Sequence, residues 1–327
     1  MVGTQFGVDM RQMSGLVLLA FLALPGFGQS APRPAQQPGA DMGAVTFKSS
    51  IELVRVTAVV RDRKGRFVPD LKAFDFEILE DGLPRSLKDF RHDTGAVSVA
   101  MLFDVSGSME GSIVRALQAA TDLLTRLNAD DETAVFTFDT RLDEALPFTL
   151  GVRKLPPRLS SVRPFGATSL HDAIARTAEK VAERPSLRRA VVVFTDGQDN
   201  WSKLTPSEVS GIASSIDVPV YLIGIVPSID NPLADTSTTT FEQSVLTGSL
   251  GNLAYWTGGE VFVVSTDADR RQMSRQLLEE LRQQYLLAFE ASSSPGWHPL
   301  TVRMRGKDLT VRARSGYIAG RSRPISQ

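Results

Sequence analysis

A nearly continuous apolar run, VSVAMLF at Val97–Phe103, places the tightest limit on the fold of this chain. A strand that is apolar on both faces is typical of the centre of a parallel sheet, where helices cover both sides. Comparable runs occur at Thr133–Phe138, Ala190–Thr195 and Val218–Val226, and the segment Ser169–Glu183 between them has helical periodicity. The alternation predicts an α/β domain with a doubly wound, mostly parallel sheet.

The remaining elements of this domain follow from local signals. A short run near Ala145–Phe148 is interpreted as an edge hairpin, and Glu260–Val264 as the last strand. The sequence TPSE at Thr205–Glu208 has the N-cap, proline and capping glutamate of a helix start. Helices are predicted around Phe241–Tyr255 and at Ala268–Gln284, where the domain ends.

The segments on either side of this domain have the alternation of β-strands, first at Ile51–Asp62 and Phe74–Leu79 and later at Tyr285–Ala291, Leu300–Arg305 and Asp308–Arg314. Each flank is too short to bury a core by itself. We therefore expect the flanks to pair in one small β-sandwich into which the α/β domain is inserted. The predicted organisation is a signal peptide at 1–30, a linker at 31–47, the sandwich at 48–94 and 285–320, the α/β domain at 96–284 and a tail at 321–327.

The N-terminal segment has the composition of an export signal. Gly15–Phe27 is apolar, Arg11 precedes it, and the small residues of Gly28–Ala31 follow as a cleavage site. The apolar run is shorter than the roughly 20 residues that span a bilayer. The sequence thus predicts an exported protein, periplasmic or extracellular, with no stable membrane span after cleavage; an uncleaved anchor is the alternative. Translation from Met10 is a further hypothesis.

Composition excludes several classes of site. The formal net charge is −1, so a nucleic-acid partner, which usually needs a basic face, is not expected. The absence of cysteine removes disulfides, thiolate chemistry and cysteine-based zinc sites. The three histidines, His92, His171 and His298, are far apart in the sequence and have no metal-ligand spacing.

Three short motifs carry the residues with the clearest chemistry. They are FDVSGSM at Phe103–Met109, GATSL at Gly166–Leu170 and FTDG at Phe194–Gly197. Their candidate metal ligands are the carboxylates of Asp104 and Asp196 and the hydroxyls of Ser106, Ser108 and Thr168. A donor set made only of oxygen suits Mg²⁺, or Mn²⁺ or Ca²⁺, rather than zinc. Two of the motifs end predicted parallel strands, which is where open α/β sheets bind ligands.

The motifs Asp-x-Ser-x-Ser, Gly-x-Thr and Thr-Asp-Gly, in this order, resemble the metal-ion-dependent adhesion site of von Willebrand factor A domains. All five candidate ligands fall on matching positions, and the resemblance extends over Val97–Gln284. It implies that the strands carrying Asp104 and Asp196 are neighbours. It also implies a non-enzymatic adhesion or scaffolding module, in which the cation accepts an Asp or Glu carboxylate from a partner protein.

The whole chain resembles a narrower group, secreted bacterial proteins described as VWFA-related and frequent in acidobacteria. The resemblance rests on Val54–Gly82, with its VVRD, DF and EDG sequences, on RQQY at Arg282–Tyr285 and on SGY at Ser315–Tyr317. The group implies a leader, a short β segment, the A domain and a β tail, but no settled activity.

Simpler interpretations compete at individual residues. Ser and Thr of the motifs could cap helices, and the Asp residues could cap turns. His171 is interpreted as a partly exposed helix residue without a partner rather than a catalytic base, and Trp201 as packing on the next helix rather than contacting a ligand. Asp139 is predicted to be a turn residue, and Asp199 and Asn200 ordinary polar loop residues.

Two other functions stay open. Asp104 after an apolar strand is similar to the nucleophile of aspartyl phosphotransferases. Those enzymes need a second Asp two residues later, where this chain has Ser106, and a Gly-x-Ser-x-Gly elbow is absent. We therefore predict that the protein is not an enzyme. The other alternative is a structural protein of envelope assembly, in which the metal only stabilises the loops.

Overall fold

The computed structural model describes residues 53–92, 95–215, 217–226, 249–306 and 308–320. The predictions of a signal peptide at 1–30, a start at Met10, a linker at 31–47 and a tail at 321–327 lie outside these ranges. The helix predicted around Phe241–Tyr255 is described only from Ser249, within a helix that ends at Thr257.

The described elements, numbered along the chain, are as follows. The strands are β1 Leu53–Arg61, β2 Phe76–Glu80, β3 Leu83–Arg85, β4 Leu87–His92, β5 Val97–Asp104, β6 Glu132–Phe138, β7 Leu142–Leu150, β8 Arg188–Thr195, β9 Val220–Ile225, β10 Val261–Val264, β11 Gln284–Glu290, β12 Gly296–Met304, β13 Thr310–Ala313 and β14 Gly316–Ala319. The α-helices are α1 Ile113–Leu124, α2 Leu170–Ala182, α3 Pro206–Ser215, α4 Ser249–Thr257 and α5 Asp267–Arg282.

The central sheet has the strand order β10-β9-β8-β5-β6-β7, in which only the edge strand β7 is antiparallel. Side chains alternate between its faces, so Met101 and Phe103 of β5 pack with α1 and α5, whereas Ala100 and Leu102 pack with α2, α3 and α4. The predicted α/β fold with helices on both faces of a mostly parallel sheet is confirmed, and so is the edge hairpin formed by β6 and β7.

The flanking segments form two antiparallel sheets, β13-β1-β11-β4 and β14-β12-β2-β3. Each sheet combines strands from both flanks, as predicted, because β1 pairs with β11 and β2 pairs with β12. Val56, Tyr285 and Phe289 from the first sheet share one core with Ile78 and Leu300 from the second. The core of the sandwich is therefore complete only when both segments that flank the α/β domain are folded together.

Polar contacts fasten the sandwich to the α/β domain. The buried guanidinium of Arg314 donates to the carbonyl oxygens of Ser214 in α3 and Arg55 in β1. The backbone N–H and hydroxyl of Thr57 donate to the Asp217 carboxylate at 3.3 and 3.1 Å. Since Asp217 lies between α3 and β9, these contacts fix the helical layer against the sandwich.

Among the described residues, none of the helices combines the length and the apolar character needed to cross a membrane.

Candidate metal centre

The two candidate carboxylates lie at the same edge of the central sheet. Asp104 is the last residue of β5, and Asp196 directly follows β8. The two strands are parallel neighbours, with Phe103 opposite Phe194. The chain leaves β5 toward β6 on one side and β8 toward β9 on the other. The carboxylates thus lie at the point where connections diverge, which is where open α/β sheets form ligand sites.

Asp104 is fully buried and held by neutral donors. The Ser106 backbone N–H donates to its Oδ1 at 2.9 Å, and the Thr195 hydroxyl donates to its Oδ2 at 2.7 Å. Burial raises the pKa of the Asp104 carboxyl to about 6 against the effect of these hydrogen bonds, and the nearby Asp196 charge raises it further. A buried carboxylate beside a second carboxylate is in a position that favours a cation.

The hydroxyls of the first motif lie together at a short 3₁₀ turn, Gly107–Met109, which contains Ser108 and is preceded by Ser106 as its N-cap residue. Ser106 is buried, Ser108 is exposed, and their Oγ atoms are 3.1 Å apart. The Gly107 N–H donates to the Gly166 carbonyl at 3.0 Å, and a Cβ added at Gly107 would lie 3.4 Å from that oxygen. The hydrogen bond joins the first and second motif loops, and the space beside Gly107 would accept a Cβ at an ordinary contact distance.

Thr168 is buried, and its backbone is fastened to the loop that follows Asp196. Its N–H donates to Oδ1 of Asn200 at 2.9 Å, while the N–H groups of Asn200 and Trp201 donate to its carbonyl oxygen at 3.1 and 3.0 Å. The second and third motif loops are thus held by three hydrogen bonds. Asn200 is more than the ordinary loop residue that we predicted, because its side chain fixes Thr168.

The interpretations of His171 and Asp199 were wrong. His171 is buried in the first turn of α2 and its Nδ1 pairs with Oδ2 of Asp199. The same carboxylate accepts the backbone N–H groups of His171 at 3.1 Å and Ser202 at 3.1 Å. Burial alone would raise the pKa of Asp199, but the hydrogen bonds from His171 and Ser202 outweigh it and lower that pKa. Sequence reasoning missed the pair because its members are 28 residues apart.

The prediction for Trp201 was also wrong, since 63% of its side chain is exposed rather than packed on the next helix. Its backbone is held at Thr168, so the indole lies near the candidate centre. Phe165, whose N–H donates to the Val105 carbonyl at 2.9 Å, is 82% exposed beside the same loops. Asp139 has the predicted place in a turn, where its Oδ1 accepts the Arg141 N–H at 2.8 Å.

The donor set fits a hard divalent cation. Two of the five candidate ligands are carboxylates and three are hydroxyls, and their exposure rises from buried Asp104 to exposed Ser108. Divalent cations of this kind prefer oxygen donors, and magnesium keeps several exchangeable positions. An exchangeable coordination position would therefore face solvent, on the side where Ser108 is exposed.

A second group of polar side chains lies in the sandwich, where Glu80, Asp81 and His298 come together. Nδ1 of His298 is 2.8 Å from Oδ2 of Asp81, and its Nε2 is 2.9 Å from the Ser294 carbonyl oxygen. Glu80 pairs with Arg85 and accepts from the Tyr317 hydroxyl. Because both ring nitrogens of His298 and both carboxylate oxygens of Glu80 already have partners in the chain, we interpret this group as an ion-pair cluster.

Comparison with known proteins supports the same fold. Residues 99–198, which run from β5 to the loop after β8, match the family described as von Willebrand factor type A domain. A comparison with curated proteins found no significant match.

Three solved structures illustrate the likeness. BatB from Bacteroides thetaiotaomicron is 16% identical with a TM-score of 0.45, covering 57% of this chain and 98% of that one. The von Willebrand factor type A protein from Catenulispora acidiphila is 12% identical with a TM-score of 0.46, covering 83% of this chain and 75% of that one. Proximal thread matrix protein 1 from the mussel byssus is 18% identical with a TM-score of 0.43, covering 62% of this chain and 51% of that one.

Proposed function

We propose that the protein binds a divalent cation, Mg²⁺ in the first instance, and uses it to capture an acidic side chain of a partner protein. The proposed ligands are Asp104, Ser106, Ser108, Thr168 and Asp196. The observation that carries the proposal is that hydrogen bonds join the three oxygen-bearing loops to one another at the sheet edge where the Asp104 carboxylate is buried. The bound cation would supply positive charge and one exchangeable position for the partner's Asp or Glu.

The surrounding residues would orient the proposed ligands. Thr195 and the Ser106 N–H hold the two oxygens of Asp104, which fixes the plane of the carboxylate. Asn200 and the pair of His171 with Asp199 hold the Thr168 loop at the start of α2. Such outer contacts matter because they set the orientation of ligands before a cation arrives.

The exposed aromatic side chains support a role in protein binding. Phe165 and Trp201 are held at the candidate centre through their backbones, and both present most of their ring surface to solvent. Large exposed aromatics are enriched among the residues that dominate binding energy in protein interfaces. A partner carboxylate at the centre would bring neighbouring partner residues onto these rings.

The proposal extends to location and to the narrower family group. The apolar stretch Gly15–Phe27 supports export, and the sequences VVRD and EDG support a place among the secreted VWFA-related proteins. Amino-terminal sequencing of the protein recovered from its producing cells tests the export part. A start within 28–31 would support cleavage, whereas an intact apolar stretch would support the retained anchor.

The central experiment is a calorimetric titration of Mg²⁺ and Mn²⁺ into the protein. We expect binding near one equivalent, lost in Asp104→Ala and retained in Asp139→Ala, which removes a turn carboxylate close to the same sheet edge. Saturation at 100 times Kd would also raise the free energy of unfolding by about 2.7 kcal/mol. Unchanged binding in Asp104→Ala would contradict the proposed ligand set.

A structural role is the second candidate, because the backbone hydrogen bonds among the three loops would be stabilised by any cation between them. Asp196→Ala separates the two functions. Under the adhesion proposal it abolishes cation-dependent retention on a surface coated with acidic peptides, whereas under the structural alternative it lowers only thermal stability. Retention that persists in EDTA would exclude the cation-mediated mechanism.

Phosphotransfer from Asp104 has less support. Both oxygens of this carboxylate accept hydrogen bonds, its side chain is fully buried, and Ser106 occupies the position of the general acid. A nucleophile must reach its substrate, so this arrangement favours a fixed ligand over a reacting group. We expect no turnover of generic phosphate esters above that of Asp104→Ala.

A further inference from the structure

A pocket of about 390 Å³ lies where the α/β domain meets the sandwich, and it shares no residue with the candidate metal centre. Its lining residues are Ser207, Ser210, Gly211, Trp256, Trp297 and Ser315. The first three lie on one face of α3, Trp256 lies in α4, and the last two belong to the sandwich segment. The volume is within the range of about 300–1,000 Å³ that is typical of small-molecule sites.

Hydrogen bonds hold the backbone of Trp256, and the ring of Trp297 packs against the chain at Gly316. The Trp256 carbonyl accepts the Ser214 hydroxyl at 2.8 Å and the Ser315 N–H at 2.9 Å. The Trp297 ring lies against Gly316, where an added Cβ would be only 2.2 Å from ring carbon Cζ2. The pocket therefore has preformed aromatic walls, which reduces the entropy lost when a ligand binds.

The polar groups of the pocket favour a ligand that brings its own hydrogen-bond donors. The Ser210 hydroxyl donates to the Pro206 carbonyl at 2.7 Å, and the Ser315 hydroxyl donates to the Trp256 carbonyl at 3.3 Å. With their protons used in this way, both oxygens offer lone pairs to the pocket. Hydroxyl groups on a ligand would satisfy them.

The lining also selects against charge. None of the six lining residues is Asp, Glu, Lys or Arg, so a charged ligand would find no counter-ion among them. Ser207 and Ser210 belong to the first turns of α3, whose partial positive charge disfavours a cation, and an anion would lose its hydration there without gaining a lysine or arginine partner. A neutral ligand with one apolar face and several hydroxyls fits these conditions.

We propose that this pocket binds a neutral saccharide, with the apolar face of a sugar ring against an indole and its hydroxyls donating to Ser210 and Ser315. The proposal is independent of the metal centre. It gives the protein a second ligand site, at the junction of its α/β domain and its sandwich.

Tryptophan fluorescence provides a direct test because the chain has only three tryptophans. In Trp201→Phe, the remaining indoles are Trp256 and Trp297, so the signal reports on the pocket alone. The probes are neutral tetrasaccharides of glucose and of N-acetylglucosamine, in α- and β-linked forms. We expect at least one to change the emission in a saturable manner, and glucuronate-containing analogues to bind more weakly.

Gly211 offers a variant that fills the pocket without disturbing the fold, because a Cβ added there meets no atom within 4 Å. In the Trp201→Phe background we expect Gly211→Leu to weaken saccharide binding by at least about tenfold, with an unchanged Mg²⁺ titration and with a thermal stability that is not lowered, because leucine is a better helix former than glycine. Three outcomes would overturn the proposal: no saturable response to any tetrasaccharide, equal binding in Gly211→Leu, or preferential binding of an apolar dye that the saccharides do not displace.

Discussion

The hydroxyl of Thr195 donates a hydrogen bond of 2.7 Å to Oδ2 of Asp104, and so joins the ends of the neighbouring strands β8 and β5. The same hydroxyl oxygen accepts the Gly197 N–H at 3.0 Å, directly after Asp196. Thr195 therefore links the buried candidate ligand to the loop that carries the second carboxylate. These two hydrogen bonds give the threonine hydroxyl of the Thr-Asp-Gly motif a role that a purely apolar strand residue could not fill.

Replacement of Thr195 by Val tests this link. The variant keeps the shape of the side chain but leaves one oxygen of buried Asp104 without a donor, so we expect the free energy of unfolding to fall by about 1–3 kcal/mol in metal-free buffer. Thr195→Ser keeps the hydroxyl and should lose less than half as much. Urea unfolding measures both variants, and equal losses in the two would show that packing rather than the hydrogen bond matters.

The pair of Asp199 with His171 predicts a dependence of stability on acid pH. Hydrogen bonds from His171 and Ser202 lower the pKa of Asp199 below its usual value of 3.8. The stabilisation is therefore present above pH 3.8 and is lost as the pH falls through the lower folded-state pKa. In Asp199→Asn, the free energy of unfolding should therefore change less with pH, over the range from pH 5 down to the onset of acid unfolding. Asp143→Asn, an exposed carboxylate on β7, is the control and should leave the slope unchanged.

A second pH effect is expected in the sandwich. Hydrogen bonds from His298 to Asp81 and to the Ser294 carbonyl raise the pKa of His298 above its usual value of 6.5. The stabilisation is thus complete below about pH 6.5 and is lost as the pH rises through the folded-state pKa. The histidine Cε1 proton resonances give the titration directly. His298→Gln should remove the loss of stability between neutral and alkaline pH, and an unshifted His298 titration would contradict the ion-pair assignment.

The sequence was most informative where periodicity and motif order coincide. The two-sided apolar run of β5 and its Asp104 terminus predicted both the central strand and the sheet edge. Strands β3, β4 and β14 were missed because LPR is short and contains Pro84, LKDFRH is charged on an exposed edge, and GYIA begins with glycine. The partner of His171 and the position of Trp201 depend on loop geometry, which residue spacing does not encode.

Replacement of Arg314 tests how much its contacts between the sandwich and the α/β domain contribute to the free energy of unfolding. Its guanidinium is buried, donates to the carbonyls of Ser214 and Arg55, and has its Nε 3.5 Å from Oδ1 of Asp217. Arg314→Met removes all three contacts and leaves Asp217 without its cation, so we expect a loss of about 3–5 kcal/mol. Adding Asp217→Asn should restore part of the loss. Differential scanning calorimetry measures both effects, and a neutral Arg314→Met would mean that apolar packing alone holds the junction.

Two glycines give opposite predictions for the same substitution. A Cβ added at Gly259 would lie 2.0 Å from the Val220 carbonyl oxygen, whereas one at Gly211 meets nothing within 4 Å. Gly259 precedes β10, which pairs in parallel with β9, so its backbone can move away from Val220 only by disturbing that pairing. We therefore expect Gly259→Ala to lower the free energy of unfolding by about 2–4 kcal/mol. Gly211→Ala lies inside α3, where alanine should raise it by up to about 1 kcal/mol. Urea unfolding of the two variants measures both effects. Equal changes at the two sites would contradict the prediction, because they would show that β10 can move to accommodate the added methyl group.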